Sequence, residues 1–277
     1  MDNLKAKKRH PEEIAVYTAI YVCAAFSVLL LLGIIIYVFA KGARRVNWAF
    51  LTGVTSILHG TVGIAGNILN TLIIILLTMI ITTPIGVGAA IYLNEYAKPG
   101  KLVTVIIFAT ETLAGIPSII FGLFGMLFFG QLCHMGYSLL TGSLTLTLMV
   151  LPLVTRNTQE ALKTVPDSFR TGAVGLGAGK WYTIRTILLP SAMPGIVTGV
   201  ILAIGRIIGE SAALLFTAGS AHLLPKTFNA FLEKIFHSGG TLTIQLYLSA
   251  SKGEFEVAFG IAVVLLVIVL LINFGTK

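Results

Sequence analysis

Six long apolar runs with few charges constrain the fold of this chain more than any other feature of its sequence. A helix needs about 20 apolar residues to cross a hydrocarbon core of about 30 Å. Most of the runs reach that length, and they lack the polar face of a soluble amphipathic helix. The sequence therefore predicts an all-α, polytopic membrane protein with six transmembrane helices, at residues 14–40, 68–92, 103–130, 139–154, 191–220 and 257–274.

Composition indicates a lipid environment for the whole chain. Of 277 residues, 56% are hydrophobic and only 11% are charged, whereas soluble domains carry about 25% charged residues. The net charge of +8 comes from Lys and Arg between the apolar runs, without the basic stripe and interleaved aromatics of nucleic-acid-binding proteins. We expect a basic N-terminal segment, residues 1–13, then one transmembrane domain, residues 14–277, and no nucleic-acid partner.

The distribution of Lys and Arg predicts the orientation, because both are enriched in the cytoplasmic connections of membrane proteins. If the amino terminus is cytoplasmic, the inner segments hold twelve basic residues: Lys5, Lys7, Lys8, Arg9, Lys98, Lys101, Arg156, Lys163, Arg170, Lys180, Arg185 and Lys277. The outer segments then hold six: Lys41, Arg44, Arg45, Lys226, Lys234 and Lys252. This asymmetry predicts two cytoplasmic termini, although the cluster of Lys41, Arg44 and Arg45 opposes it.

Cysteine and histidine show no metal-binding pattern. Cys23 and Cys133 lie far apart and at no ligand spacing, so we expect both to be packing residues. The histidines of the outer segments share no spacing typical of zinc ligands; they are His59, His134, His222 and His237. No metal or other cofactor is expected in the chain itself.

Glycine and proline mark two further features of the apolar runs. In the third run, Glu111 precedes Gly115 and Pro117, a helix-breaking pair that is able to open a cavity. In the fifth run, small residues are expected to let the helix approach its neighbours closely; they are Gly195, Gly199, Ala203 and Gly205. The long outer connection, residues 221–256, is expected to cap the outer mouth.

The inner connection, residues 156–190, is rich in glycine but matches no nucleotide-binding motif. A P-loop requires a glycine five residues before its Gly-Lys pair and a hydroxyl residue after it, and Val174 and Trp181 occupy those positions. The segment around Gly175 and Gly177 fails as a dinucleotide fingerprint, because the third glycine comes one residue early. Any nucleotide must therefore bind to a partner.

Periodicity in the same connection predicts a compact coupling element. We expect a short helix, a break at Gly177, and a second amphipathic piece that ends at Pro190. The second piece carries an exposed apolar ridge at helical spacing: Trp181, Ile184, Ile187 and Leu188. An amphipathic hairpin lying on the bilayer, rimmed by Lys180 and Arg185, is the alternative interpretation.

Segment 171–190 resembles the cytoplasmic signature of the permease subunits of ABC importers, Glu-Ala-Ala-x3-Gly-x9-Ile-x-Leu-Pro. Five positions match at the family's spacing: Ala173, Gly177, Ile187, Leu189 and Pro190. Thr171 replaces the usual Glu and Gly172 the usual Ala, which affects the charged part of the family's contact but not the packed part. The resemblance implies the type I, MetI-like permease fold and a loop that docks as a helix into a groove on an ATPase subunit.

Three stretches closely resemble the PstA-type permeases of bacterial phosphate importers. They are GVGAAIYLNEYA from Gly86, VTRNTQEALKTVPDSFRTGAVGLGAGKW from Val154, and GIVTGVILAIGRIIGESAALLFTAG from Gly195. The resemblance, over most of residues 63–275, implies phosphate import through a pathway shared with a second, related permease. It also implies two cytoplasmic ATPase subunits, which bind ATP and Mg, and an extracytoplasmic phosphate-binding protein.

Arg206 lies near the middle of the fifth apolar run. A guanidinium there costs about 2.5–3.5 kcal/mol on insertion scales, so it needs a partner or a wet cavity. Its planar fork suits a phosphate anion, and Glu210, one turn along the predicted helix, would hold Arg206 or accept a substrate proton. The alternative is that Arg206 and Glu210 only neutralise each other.

Arg156, at the inner end of the fourth run, matches a second arginine of the PstA-type pathway, although positive-inside placement also accounts for it. The expected function is a non-enzymatic permease subunit of an ATP-driven phosphate importer in the cytoplasmic membrane. Three alternatives stay open: a secondary anion transporter in which Glu210 titrates, a permease for another oxyanion such as molybdate or sulfate, and a sensor or assembly protein. No inverted repeat supports the self-sufficient carrier.

Overall fold

The computed structural model describes residues 11–56, 61–225 and 227–275. Most of the basic N-terminal segment, His59, Lys226 and Lys277 therefore lie outside the described residues. The helices are α1 Pro11–Gly42, α2 Trp48–Thr52, α3 Ala65–Ile91, α4 Lys101–Gly115, α5 Ser118–Gly125, α6 Leu139–Lys163, α7 Asp167–Gly175, α8 Lys180–Thr183, α9 Leu189–Gly209, α10 Ala212–Thr217, α11 Phe228–Glu233, α12 Leu242–Ser251 and α13 Phe255–Phe274.

Shorter elements complete the chain. A two-stranded antiparallel sheet, β1 Val54–Ser56 and β2 Thr61–Ile64, lies between α2 and α3. Wide π-helical turns extend α3, α5 and α8, at Tyr92–Tyr96, Met126–Leu132 and Ile184–Leu188. We call the side of the bundle that carries residues 156–190 the loop side, and the other the opposite side.

The predicted multi-pass membrane architecture is confirmed. Among the described residues, five helices are long and apolar enough to cross a bilayer: Ala15–Arg45, Ala65–Tyr96, Leu139–Lys163, Lys180–Gly209 and Phe255–Phe274. A sixth span results if Lys101–Gly115 and Ser118–Leu132 count together, since both pass the same test as a pair.

The third run is not a continuous helix, so the prediction of one span at 103–130 is wrong in that respect. Its halves, α4 and the segment Ser118–Leu132, are bent by 102°. The bend occurs where Ile116 takes an extended conformation before Pro117, because proline disfavours helical geometry in the preceding residue. The expected break at Gly115 and Pro117 is therefore confirmed.

The fourth run continues as a helix beyond its predicted end at residue 154, to Lys163. Pro152 lies inside α6 and does not end it, because a proline removes only one of the helix's hydrogen bonds and α6 is also held by its packing against α3 and α9. The buried hydroxyls of this helix donate to carbonyls four residues earlier, as Ser143 does to Leu139 and Thr147 to Ser143. Such internal bonds allow polar residues to occupy the centre of the bundle.

The fifth run is also broken. α9 ends at Gly209, Glu210 is extended at φ −82° and ψ 121°, and α10 begins at Ala212. The prediction of one helix over residues 191–220, with Glu210 on the same helical face as Arg206, is therefore wrong.

The core is centred on α6, which packs against α3 and α9. A side chain on Gly86 would meet Val154, and one on Gly195 or Gly199 would meet Ala161 or Asn157. Ala203 is fully buried, so the close-packing prediction is confirmed at Gly195, Gly199 and Ala203. It is wrong for Gly205, which has open space around its Cα.

Cys23 and Cys133 are both exposed in the chain by itself. The prediction that they are packing residues is therefore wrong as far as the interior of this chain is concerned. Each belongs to a surface formed largely by apolar side chains, such as Phe26 and Leu132. A lipid tail satisfies such a surface as well as protein does.

The long connection on the opposite side is tied to the start of α3. Asn67 and Asn70 both donate to the carbonyl of Gly240 at 3.0 Å, and Asn70 also donates to the carbonyl of Ala221. Lys234 is buried in this connection, where its ammonium donates to the Leu223 carbonyl. Burial lowers the pKa of Lys234 below its ordinary value.

The α6–α9 contact leads to a stability prediction. In Gly199→Ala the new Cβ would lie 2.6 Å from Asn157 Cβ, so the helices must separate, and we expect a loss of about 1–3 kcal/mol. In the matched control Gly205→Ala the space is open, and the better helix propensity should stabilise by about 0.5–1 kcal/mol. Thermal unfolding of the purified chain in detergent checks both, and equal shifts of the two variants would contradict the packing.

The orientation prediction is checked with single cysteines in a background where Cys23 and Cys133 are replaced by serine. Lys163 and Lys252 are exposed on the two sides of the bundle, so both are better labelling positions than the buried Lys234. We expect a membrane-impermeant maleimide to label Lys252→Cys in intact cells and Lys163→Cys only after the cells are opened. The reverse pattern would invert the assigned topology.

Candidate anion site and coupling loop

Arg206 lies on a face of α9 that no other part of the described chain covers. It shares this exposed face with Thr198, Leu202 and Gly209, which recur at helical spacing. The opposite face is buried against α6 and contains Ala192, Ile196, Gly199, Ala203 and Ile207. The guanidinium is therefore directed away from the chain's own core.

No ion pair neutralises Arg206 among the described residues. The ion pairs that the described residues form are Arg156–Glu160, Arg170–Glu95 and Arg170–Asp167. The interpretation in which Arg206 and Glu210 simply neutralise each other is therefore not supported. A cation within an apolar span needs compensation, so the open face of α9 must meet water, an anion or another polypeptide.

Glu210 has a local structural role at the break between α9 and α10. Its side chain is buried, and its Oε1 accepts the Ala213 N–H at 3.0 Å, which closes the first turn of α10. The Thr243 hydroxyl donates to the Glu210 carbonyl at 2.8 Å and so links the break to α12. The Ala213 N–H and the Glu210 carbonyl, both freed by the break, are thus satisfied inside the protein, as a membrane interior requires.

Arg156 lies within α6, not at the inner end of a span as predicted, because α6 continues to Lys163. Its Nε lies 3.3 Å from Glu160 Oε1, and both side chains are largely exposed. The two line a cavity of about 200 Å³ between α4 and α6, together with Glu111 and Lys163. A polar cavity therefore lies beside Glu111, although neither Gly115 nor Pro117 lines it.

Arg156 and Arg206 lie at different depths. Asn157 is level with Gly199 of α9, and Arg206 is seven residues farther along the same helix, about 10 Å at 1.5 Å per residue. The two arginines therefore lie at successive depths along the bundle, and Arg156 is nearer to the loop side.

Between α6 and α9, the connection 156–190 contains two short helices, α7 and α8, which are joined by a turn. We call this pair the hairpin. α7 ends at Gly175, and Gly177 takes a φ of +81°, a left-handed conformation that glycine adopts without strain. The predicted break at Gly177 is confirmed. The prediction that Pro190 ends the second piece is wrong, because Pro190 lies in the first turn of α9, where its missing N–H is tolerated.

The apolar residues of the hairpin face two ways, which corrects the predicted ridge. Ile184 and Leu188 are buried at 1% exposure, where they pack with Leu162, Val165 and Ile196. The side chains that form the exposed surface, which we call the loop ridge, are Phe169, Val174, Leu176, Trp181 and Tyr182, and Leu176 is 91% exposed. Trp181 is the one residue of the predicted ridge that also belongs to the loop ridge.

The signature positions divide in the same way. Ala173 is buried, Ile187 and Leu189 are half-buried, and Pro190 is exposed. Thr171 and Gly172 lie on the exposed side of α7, where the Thr171 hydroxyl donates to the carbonyls of Asp167 and Ser168. The residues that depart from the signature are thus available to a docking partner.

Sequence reasoning did not predict the contact between Glu95 and Arg170. They are 75 positions apart, yet Arg170 Nη2 lies 2.9 Å from Glu95 Oε1, and hydrogen bonding to Glu95 raises the pKa of Arg170 above its ordinary value. The available signal was that both residues lie in stretches with the PstA-type resemblance.

The spans, the uncovered arginine and the exposed helical loop together are features of a membrane subunit that works with other polypeptides in transport. Residues 82–276 match the family "Binding-protein-dependent transport system inner membrane component". The chain belongs to this family and is a permease subunit of the ABC-importer type.

Similar sequences agree with this family. "Probable ABC transporter permease protein YqgI" of Bacillus subtilis (strain 168) is 36% identical over 265 residues, which cover 92% of this chain and 90% of the relative. "Phosphate transport system permease protein PstA" of Xylella fastidiosa (strain Temecula1 / ATCC 700964) is 35% identical over 244 residues, 86% of this chain and 82% of the relative.

Two solved structures have a similar fold. A chain of a bacterial alginate ABC transporter, in complex with a periplasmic protein bound to an alginate pentasaccharide, has a TM-score of 0.70 at 14% identity and covers 96% of this chain and 93% of its own. A chain of the inward-facing MetNI methionine ABC transporter has a TM-score of 0.57 at 21% identity, with 77% and 91% covered. The predicted MetI-like permease fold is confirmed.

The role of Glu210 as a cap leads to a prediction that separates shape from charge. Glu210→Gln keeps an oxygen that accepts the Ala213 N–H, so we expect near-normal stability. Glu210→Ala leaves that buried donor unpaired and should cost about 1–3 kcal/mol. Thermal unfolding in detergent measures both, and an equal loss in the two variants would assign the stabilisation to the charge.

Proposed function

We propose that this chain forms one half of the phosphate pathway in an ATP-driven importer of the cytoplasmic membrane. The observation that carries the proposal is the guanidinium of Arg206, which lies on the uncovered face of α9 and has no ion-pair partner in the described part of the chain. The PstA relatives support phosphate as the substrate, because their names assign them to phosphate transport. The chain is proposed to be non-enzymatic and to have both termini in the cytoplasm.

Arg206 is proposed to contact the anion directly. A guanidinium offers parallel N–H donors that match two oxygens of a phosphate, and a low-dielectric span strengthens their attraction for it. Arg156, about 10 Å nearer to the loop side along the helices, would be the next cationic position, once Glu160 releases it. Glu210 would maintain the break that ends α9 one turn beyond Arg206.

The uncovered face of α9 is proposed to lie against a second, related permease, so that the pathway runs between the two. The loop ridge is proposed to dock on one of two ATPase subunits, which bind ATP and Mg. An extracytoplasmic phosphate-binding protein would deliver the anion to the opposite side. An exposed apolar ridge on a cytoplasmic loop is otherwise an unfavourable surface to present to water.

A secondary carrier in which Glu210 titrates is less consistent with the geometry. The Glu210 side chain is buried and its Oε1 accepts the Ala213 N–H, so the carboxyl group is already used to cap α10. A self-sufficient carrier also has no use for a separate apolar ridge on a cytoplasmic loop.

The test is uptake of radiolabelled phosphate by cells that express Arg206 variants as the sole copy of this chain. Arg206→Gln should reduce uptake by about tenfold or more while the complex still assembles. Arg206→Lys should also be impaired, because an ammonium keeps the charge but lacks the fork. The matched control is Arg44→Gln, at an exposed arginine outside the bundle core, and it should transport normally.

Normal phosphate uptake by assembled Arg206→Gln would overturn the role of Arg206. Labelled sulfate and molybdate are run in parallel with phosphate. Uptake of either one by the wild type in place of phosphate would reject phosphate as the substrate and leave the importer architecture in place.

A further inference from the structure

Arg170 makes a hydrogen bond with every N–H donor of its guanidinium. Nη2 donates to Glu95 Oε1 at 2.9 Å and to the Leu162 carbonyl at 3.0 Å. Nη1 donates to the Val165 carbonyl and to Asp167 Oδ1, both at 3.0 Å, and Nε lies 3.3 Å from Glu95 Oε1. A guanidinium has five such donors, so this side chain is fully used inside the chain.

These partners belong to different parts of the bundle. Glu95 lies in the π-helical turn that ends α3, and Leu162 lies in the last turn of α6. The last carbonyls of a helix lack partners within it and favour a nearby cation. Arg170 therefore joins α7 to the ends of two membrane-spanning helices at once.

The second half of the hairpin is held at the adjacent position. Lys180 Nζ lies 4.7 Å from the ring centroid of Tyr96, the neighbour of Glu95, and cation–ring attraction acts over such a distance. Asn94 also donates to Glu95 Oε1 at 2.8 Å, which fixes the carboxylate. The wide turn at the end of α3 thus contacts both α7 and α8.

Few other contacts hold α7 in place. Ala173 is the buried residue of this helix, and a single methyl group has little surface to bury. The rest of its surface is exposed, including Phe169 and Val174 of the loop ridge. A partner that pulls on the ridge would therefore load the Arg170–Glu95 contact directly.

α3 extends from this contact to the opposite side of the bundle. The helix and its final turn, Ala65–Tyr96, span 32 residues, about 48 Å at 1.5 Å per residue. Its far end is bonded through Asn67 and Asn70 to Gly240 of the opposite connection. One continuous helix therefore connects the hairpin with the surface on the other side.

We propose that Arg170 is a positioning residue that couples movement of the loop ridge to α3 and α6 through Glu95 and the Leu162 carbonyl. This inference rests on the proposed function, in which the ridge docks on an ATPase. It assigns docking and coupling to different residues: the loop ridge binds the ATPase, and Arg170 passes its movement to the membrane helices.

The experiment uses the complex purified from membranes through a tag on this chain. Retained ATPase polypeptide and basal ATP hydrolysis report docking, and phosphate uptake per assembled complex reports coupling. Arg170→Gln should keep docking within about twofold of the wild type, since the ridge is unchanged, and should reduce uptake by about tenfold or more. Arg170→Lys should also be impaired, because three donors on a point charge cannot replace five in a fork.

Two further variants establish the partner of Arg170. Glu95→Gln keeps the shape and one acceptor oxygen, so its loss of uptake should be smaller than that of Arg170→Gln. The double variant should be no worse than Arg170→Gln alone, because residues that act through one contact are not additive. Lys98→Gln, at an exposed cation three residues after Glu95, is the matched control and should behave as the wild type.

Docking is tested separately with Leu176→Asp, at the most exposed position of the ridge, which should lose the ATPase polypeptide. If Leu176→Asp retains it, or the wild type carries none, the proposed function fails regardless of Arg170. If Arg170→Gln transports normally, or loses the ATPase together with uptake, the coupling role of Arg170 is overturned.

Discussion

The hydrocarbon interior of a membrane offers no hydrogen-bond partner, and this constraint determines both the regular and the irregular parts of the structure. Backbone groups in the spans must be paired within helices. Where a span is interrupted, the freed groups need partners from the protein. At the α9–α10 break the Glu210 carboxylate accepts the Ala213 N–H, and the Thr243 hydroxyl donates to the Glu210 carbonyl. The break is therefore a stable part of the fold.

α6 organises the bundle because it is the most buried of the candidate spans. Its buried hydroxyls bond to carbonyls of their own helix. Glycines on the facing sides of α3 and α9 let those two helices approach α6 closely. With one face of α9 fixed against α6, the other face is left open and carries Arg206. The exposure of this cation thus follows from packing on the far side of the same helix.

The loop side repeats this division between a fixed and an open surface. Ile184 and Leu188 pack into the bundle, and Arg170 uses its whole hydrogen-bonding capacity on Glu95 and nearby carbonyls. What remains for a partner is the apolar loop ridge. A hairpin that is rigidly attached on one side and apolar on the other is suited to transmit a force, because a loosely attached loop would absorb the movement.

The membrane architecture, the family, the break at Gly177 and the place of Arg206 within an apolar run could be predicted from the sequence, because apolar length, loop charge and signature spacing are local properties of the chain. The break at Gly115 and Pro117 was also predictable, whereas the break at Glu210 emerged only from the folded bundle. The run at 191–220 has no proline between Arg206 and Ala213, so its sequence gives no sign of a break that depends on the buried contacts of Glu210. The tertiary structure also shows that α6 continues to Lys163, and that Arg170 contacts Glu95, which is 75 residues away in the sequence. Such a pairing depends on which helix ends are brought together, and this follows from side-chain packing across the whole bundle.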